Sequence, residues 1–202
     1  MKILSLIVAF VGLATVALAQ ETSGPFGLRR GMTQEQVIQI VGKGAVKETK
    51  GDTLVLLTVP KPHPDFELYS LIFSPTDGLL KVMAIGKDIS TNGFGEAVRS
   101  SFREIRNALL QTYGKPNPDL DLVRAGSIWK EPEDWMMGLR KDERYLESAW
   151  QEEKLPLPNQ IHVIVLEAKA LSTEKGFLEL SYEFNGWAAY LDALKRKAST
   201  VF

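Results

Sequence analysis

The amino-acid sequence predicts an α+β fold: two similar units, each a helix followed by a three-stranded antiparallel meander, packed together, with a C-terminal helix. A helix-like segment ending in Gly-Lys occurs twice, at Gly42-Lys43 and at Gly114-Lys115. Three strand-like runs follow each of these segments. Because either unit alone has little apolar surface, we expect the two to share a core or to pack edge to edge.

The predicted division of the chain follows from this order. Residues 20–95 form the first helix-meander unit. Residues 96–202 form the second, which carries an insertion at 116–144 and the C-terminal helix. Residues 1–19 precede both units and have a different character.

Residues 1–19 have the three parts of a secretory signal peptide. Lys2 precedes an apolar run of roughly a dozen residues, and the small residues Ala17 and Ala19 follow. The run is shorter than the roughly 20 residues of a spanning helix, so we expect cleavage after Ala19 rather than an uncleaved anchor. A short signal of this kind is typical of bacteria and predicts a periplasmic or secreted protein.

Composition excludes several classes of function. The chain has no cysteine, so thiol catalysis, thiolate metal sites and lipid attachment through an N-terminal cysteine are not expected. Its 24 basic and 25 acidic residues give a formal net charge of -1, which does not favour a nucleic-acid partner. After signal cleavage, no apolar run is long enough to predict a membrane span.

The first unit opens with a well-defined helix start. Thr33 is a favourable N-cap, and Gln36 completes a capping box. Met32 is placed to pack on Val37 as a hydrophobic staple, and Gly42 is a natural helix end. Strand-like runs rich in branched and aromatic residues follow at 53–59, 66–74 and 79–85.

The second unit begins with a longer amphipathic helix, predicted over 96–113 and ended by Gly114-Lys115-Pro116. We expect 116–144 to be irregular, apart from a short helix at about 133–140. Strands are predicted at 145–151, 160–169 and 176–184, the last half-exposed because apolar and polar residues alternate. A closing helix follows 185–186. The apolar stripe of the first helix is Val98, Phe102, Ile105, Leu109 and Tyr113.

The start of the first unit resembles a known family. Phe26-Gly27-Leu28, the run from Gly31-Met32-Thr33 to Val37, and Gly42-Lys43 are similar to the helix-opening signature of the BamE/SmpA type of small envelope proteins. The resemblance covers about residues 26–87. β-Lactamase inhibitor proteins have a similar fold, with a helical element on an antiparallel sheet, often in tandem. The resemblance implies a protein-binding scaffold outside the cytoplasm.

The insertion at 116–144 supplies the candidate partner-binding residues. Trp129, Trp135, Met136 and Met137 favour an exposed apolar patch, because aromatic and methionine side chains serve well as interface anchors. The alternative is that these tryptophans lie in the core. For Trp150 and Trp187 we predict the core.

Three carboxylates, Glu131, Glu133 and Asp134, lie in sequence between Trp129 and Trp135. Paired carboxylates beside aromatic rings can bind sugars or hydrolyse them if burial separates their pKa values. The alternative is a solvated turn in which Glu133 or Asp134 caps the short helix.

Other catalytic patterns are missing from the sequence. We find no nucleophile elbow, phosphate loop, dinucleotide fingerprint or zinc-protease helix. His63 and His162 would need to converge with carboxylates to hold a metal. We therefore predict no catalytic, cofactor-binding or metal-binding residue.

The sequence thus favours an exported, non-enzymatic protein-binding module of the bacterial envelope, with another envelope protein as its partner and no cofactor. The alternative is a small-molecule or glycan binder, or a hydrolase, that uses a cleft near Trp129 and Trp135. A purely structural envelope protein is a third hypothesis.

Overall fold

The computed structural model describes residues 24–154 and 156–199; the predicted signal segment lies outside them. Over these residues the protein is α+β, as expected, with four α-helices and a nine-stranded antiparallel sheet. The helices are α1 (Gln34–Val41), α2 (Glu96–Tyr113), α3 (Trp135–Arg140) and α4 (Trp187–Ser199). The strands are β1 (Val46–Lys50), β2 (Thr53–Leu56), β3 (Phe66–Ser74), β4 (Gly78–Gly86), β5 (Ile89–Ser90), β6 (Asp119–Val123), β7 (Arg144–Gln151), β8 (Ile161–Ala170) and β9 (Lys175–Phe184).

The strand order in the sheet is β1-β2-β3-β4-β9-β8-β7-β6, with the short β5 pairing to β9. The last strand in the chain, β9, therefore lies in the middle of the sheet, between β4 and β8. Strands β1 and β6 form its two edges. Every pairing is antiparallel, as expected when short turns connect successive strands.

The predicted start of α1 is confirmed. The Thr33 hydroxyl accepts a hydrogen bond from the Gln36 backbone N–H at 3.2 Å, and the Gln36 side-chain oxygen accepts from the Thr33 N–H at 2.9 Å. Met32 and Val37 are both buried in the core. Gly42, with φ of 83°, ends the helix in a conformation that favours glycine.

Helix α2 has the predicted bounds. Four residues of its predicted stripe are buried, and Tyr113 is half-buried. Gly114, with φ of 80°, follows the last turn. The indole N–H of Trp150 on β7 donates to the Gly114 carbonyl at 2.8 Å, which joins the end of the helix to the sheet.

The predicted strand count is wrong. In the part of the chain that the structure describes, five strands, β1 to β5, lie between α1 and α2, and four strands, β6 to β9, follow α2, where three were expected in each case. The region 116–144, expected to be irregular, contains β6 as well as α3. Strands β1 and β6 were missed because they lie at the sheet edges, where none of their side chains is buried and no apolar alternation develops. Strand β5 was also missed, since it has only two residues.

One face of the sheet carries the core, beneath α1, α2 and α3. Helix α2 packs on β8 and β9, and α3 packs on β7 and β8. The contiguous core joins both parts of the chain, from Val37 and Leu71 to Phe102 and Ile164. Of the helices within 24–199, α4 is the one that lies on the opposite side of the sheet, where Trp187 packs beside Lys81.

Candidate functional site

The side chains on the side of the sheet away from the core form what we call the open face. Along β9, Leu178, Leu180 and Phe184 point into the core and are buried. Glu179 and Glu183 alternate with them and are half-buried. This confirms the alternation predicted for the last strand and places its polar side on the open face.

An apolar row crosses the open face. It consists of four apolar side chains and two serines, one from each of six neighbouring strands, and has no charge. An antiparallel sheet face in contact with water is normally polar, so an uncharged row of this length is unusual. In sheet order the row is Val55, Ser70, Met83, Ser181, Val165 and Ala149.

An acidic row lies next to it. Glu147 on β7 is opposite Glu167 on β8, and Glu167 is opposite Glu179 on β9. Directly opposite residues have Cβ atoms about 4.5–5.5 Å apart, where like charges repel. Lys169 forms an ion pair with Glu167, and the two are 41% and 27% exposed. Lys169 thus neutralises only part of the negative charge of the three glutamates in the acidic row.

The environment of the acidic row favours protonation. Burial raises the pKa of Glu147, and the charge of Glu167 and a hydrogen bond to it raise that pKa further. Burial also raises the pKa of Glu179, although Lys169 opposes this shift. Glu147 and Glu179 therefore bind a proton more readily than ordinary glutamates do.

A third row lies on the other side of the apolar row, partly beneath α4. The Lys81 ammonium donates to Glu183 at 2.9 Å and lies 5.2 Å from the centre of the Trp187 ring. The Tyr190 hydroxyl donates to the Asp52 carboxylate at 2.9 Å. From residue 192 to 199 the helix is exposed. Helix α4 therefore covers one margin of the open face. Beyond it the acidic row is half-buried, and in the apolar row Ser181 and Ala149 are buried while the other four residues are half-buried.

An exposed apolar patch was predicted at 116–144, and this prediction is wrong for two of its four residues. Trp135 and Met136 are buried, at 2% and 0% exposure. Trp135 packs against the start of α2. A Cβ placed on Gly95 would lie only 2.1 Å from the Trp135 ring, and the Arg99 guanidinium lies 5.6 Å from the centre of that ring. Trp129 and Met137 are half-buried, and partner binding there stays a prediction.

The predicted carboxylate cluster lies on a surface turn before α3. Glu131 and Glu133 are exposed and Asp134 is half-buried. Neither Glu131 nor Asp134 caps a helix with its side chain, so the capping expected of Asp134 is wrong. Trp135, expected to lie beside these carboxylates in a cleft, is buried.

The other predicted residues occupy ordinary structural positions. Trp150 and Trp187 are buried, as expected. The His63 imidazole accepts from the Asp65 N–H at 3.3 Å, and His162 lies 3.4 Å from the Glu152 carboxylate. Among the described residues, no three His, Cys, Asp or Glu side chains are grouped to hold a metal ion.

The two rows of the open face were not identified from the sequence. Each depends on the register between strands distant in the chain, such as Met83 opposite Ser181. The only local signal was the alternation along β9, which shows that a half-exposed face exists but not what lies beside it.

None of the helices within the described residues has the length and apolar character needed to cross a membrane. Comparison of the chain with protein-family models, with curated proteins and with solved structures gives no match. The resemblance to BamE/SmpA-type proteins therefore stays a prediction.

Proposed function

We propose that this protein is an exported, non-enzymatic protein-binding module of the bacterial envelope, and that the open face of its sheet is the binding surface. In this proposal the two like-built parts, each a helix and a meander, join through β4 and β9 to make one wide face. The apolar row is the observation that carries the proposal. It is uncharged across six adjacent strands, and four of them supply half-buried side chains that a partner can contact.

The charges beside the apolar row support a protein partner. Interfaces commonly place apolar side chains at the centre and polar ones at the rim. Here Glu147, Glu167 and Glu179 lie on one side and Lys81 with Glu183 on the other. A partner that fits this pattern has an apolar centre with basic residues facing the acidic row.

The alternative, a small-molecule or glycan binder or a hydrolase, has one supporting observation: Glu147, whose pKa is raised by burial, lies opposite a second carboxylate, Glu167. The cavity beside this pair, also lined by Tyr145 and Lys169, measures about 120 Å³. Pockets for small ligands are typically about 300–1,000 Å³. Because the cavity is smaller than this range, we favour a protein partner.

Two experiments test the proposal. For export, the chain is expressed in a bacterial host with a C-terminal tag. Fractionation and N-terminal sequencing are expected to recover a periplasmic form that begins at Gln20. A product that retains Met1 in the cytoplasm would contradict export.

For binding, the tagged protein is used for affinity capture from a periplasmic extract. Val165→Glu places a charge in the apolar row and is expected to abolish capture of a stoichiometric partner. Ile40→Glu is the matched control, because Ile40 is 55% exposed on α1. Equal capture by both variants, or no stoichiometric partner for the unmodified protein, would contradict the proposal.

A further inference from the structure

A groove separates α2 from the edge strand β6 and has a volume of about 380 Å³. Its floor includes the buried Phe102 and the half-buried Leu146. Arg99, Arg103 and Arg106 line one wall, because spacings of four and three residues place them on one side of the helix. We call this feature the α2–β6 groove. It lies on the core side of the sheet, opposite to the open face.

The groove has more positive than negative charge. The Arg106 guanidinium forms a two-pronged contact with the Asp119 carboxylate. Arg99 lies 3.7 Å from Asp121, and Arg144, the first residue of β7, lies 4.0 Å from the same carboxylate. Two aspartates thus neutralise part of the charge of four arginines. This leaves room for additional carboxylates.

Arg103 is the cation available to them. Its side chain is exposed, and no carboxylate among the described residues lies within ion-pair distance of it. It sits on the helix between Arg99 and Arg106, whose positions are held by Asp121 and Asp119. A guanidinium between two anchored neighbours is well placed to bind a carboxylate in two-pronged geometry.

The outer edge of β6 has unpaired backbone groups. Within the described residues β6 pairs with β7 alone, and Leu120 lies opposite Glu147. The Arg124 N–H donates to the Glu143 carbonyl at 2.7 Å. Since hydrogen-bonded positions alternate along an antiparallel ladder, Leu120 and Leu122 bond to β7. The N–H and C=O groups of Asp119, Asp121 and Val123 then point outward.

The opposite edge of the sheet is less able to accept a strand. Strand β1 carries Lys47, Glu48 and Lys50, all exposed, and its register with β2 shifts between Val46 and Glu48. Edge charges and irregular register both disfavour pairing with another chain. In β6 the register is regular over all five residues, and both carboxylates are held by arginines.

We propose that the α2–β6 groove binds an extended acidic segment of a partner protein. The segment adds as a strand to the outer edge of β6, and its carboxylates face Arg103 and the neighbouring arginines. Backbone hydrogen bonds to β6 supply affinity, and the arginines select for acidic side chains. This surface is separate from the open face, so the inference does not depend on the function proposed above.

The test uses a fluorescently labelled peptide of alternating glutamate and valine, titrated with the purified protein and followed by anisotropy. A lysine–valine peptide of the same length is the control. The glutamate peptide is expected to bind, to weaken as salt rises from about 50 to about 200 mM, and to bind more tightly than the lysine peptide. No binding, or equal binding of both peptides, would overturn the proposal.

Two variants separate the parts of the site. Arg103→Glu is expected to weaken binding about tenfold or more, and Arg103→Lys to weaken it less, since lysine keeps the charge but not the two-pronged geometry. Val123→Pro removes an outward N–H without removing a bond to β7, and is expected to abolish binding. Circular dichroism and thermal unfolding establish that each variant is folded. If folded Arg103→Glu binds normally, the proposal is wrong.

Two further measurements exclude other occupants. A glutamate peptide N-methylated at alternate residues cannot pair as a strand along its methylated edge, and its binding is expected to be lost. Complete displacement of the peptide by millimolar inorganic phosphate would instead indicate a simple anion site. A dimer in sedimentation analysis that Val123→Pro dissociates would indicate that a second copy covers the edge. Either of these last two results would overturn the proposal.

Discussion

Glu147 and Glu167 lie directly opposite each other on β7 and β8, with Glu179 in line on β9. When two glutamates that lie opposite each other are both ionised, their repulsion destabilises the folded protein. The position of this pair in the sheet thus has a direct consequence for how the fold responds to pH.

The first prediction concerns this consequence. The pKa values of Glu147 and Glu179 are raised above the ordinary value of 4.5, first by burial. An acid with a raised folded-state pKa binds more protons when folded, so its contribution to stability is present below pH 4.5 and is lost as pH rises through the folded-state pKa. We expect Glu147→Gln to raise the Tm by about 2 °C at pH 7, a modest change since the side chain is only half-buried.

Thermal unfolding of the unmodified and variant proteins between pH 4 and pH 7 measures this difference. The stabilisation by Glu147→Gln is expected to shrink as pH falls. Glu131→Gln, on an exposed turn, is the control and is expected to change the Tm little at any pH. A stabilisation that does not vary with pH would show that repulsion in the acidic row is not its cause.

The second prediction concerns the junction of α2 with the sheet. Trp150 is 1% exposed, and its indole donates to the Gly114 carbonyl. Trp150→Phe removes this hydrogen bond and leaves a cavity, so we expect a loss of about 2 kcal/mol in the free energy of unfolding. Urea denaturation measures it. Trp129→Phe, at a half-buried position, is expected to cost less than half as much, and equal costs would contradict the assigned role of Trp150.

The third prediction concerns the turn before β4. Gly78 has φ of 67°, and a Cβ there would lie 2.4 Å from the Gly31 carbonyl oxygen, because the 31–32 segment hydrogen-bonds to Leu79. We expect Gly78→Ala to destabilise the protein by about 3 kcal/mol or more. Gly126→Ala is the matched control, with φ of 82° and no atom within 4 Å of the new Cβ.

The control isolates the conformational cost of a positive φ, which is about 1 kcal/mol. Urea denaturation of both variants gives the difference between them, which measures the steric contact with the Gly31 backbone. If the two substitutions cost the same, that contact contributes nothing and the close approach of the two segments does not constrain position 78.

The fourth prediction concerns the start of α1. Thr33→Ala removes the acceptor for the Gln36 N–H and breaks the capping box. We expect a loss of about 1 kcal/mol, measured by chemical denaturation. Thr33→Ser keeps the hydroxyl and is expected to retain most of the stability. A serine variant as unstable as the alanine variant would show that the hydroxyl is not the source of the effect.

The sequence predicted those elements whose signals are local. Helix α2 was placed with its observed bounds because an apolar stripe and Gly114 define it, and β3 was placed at 66–74 because branched and aromatic residues are dense there. Edge strands β1 and β6 were missed because neither alternates between core and solvent.

The candidate sites were less predictable. Their composition depends on strand register and on which side of the sheet each helix covers, and neither is encoded in a short window of sequence. Trp135 illustrates the difficulty: an aromatic residue in an apparently irregular insertion is instead a core residue, because the glycine at position 95 leaves space for its ring.

The central position of β9 affects how the chain can be assembled. Lys81 on β4 pairs with Glu183 on β9, which lies 102 residues later in the chain. This pairing can form only after β9 has been made. Until β9 has been synthesised, β4 and β8 each have an edge without a partner strand. A chain truncated before residue 175 would keep both edges permanently, and self-association of such fragments is the expected result. The complete sheet can therefore form only after nearly the whole chain has been made.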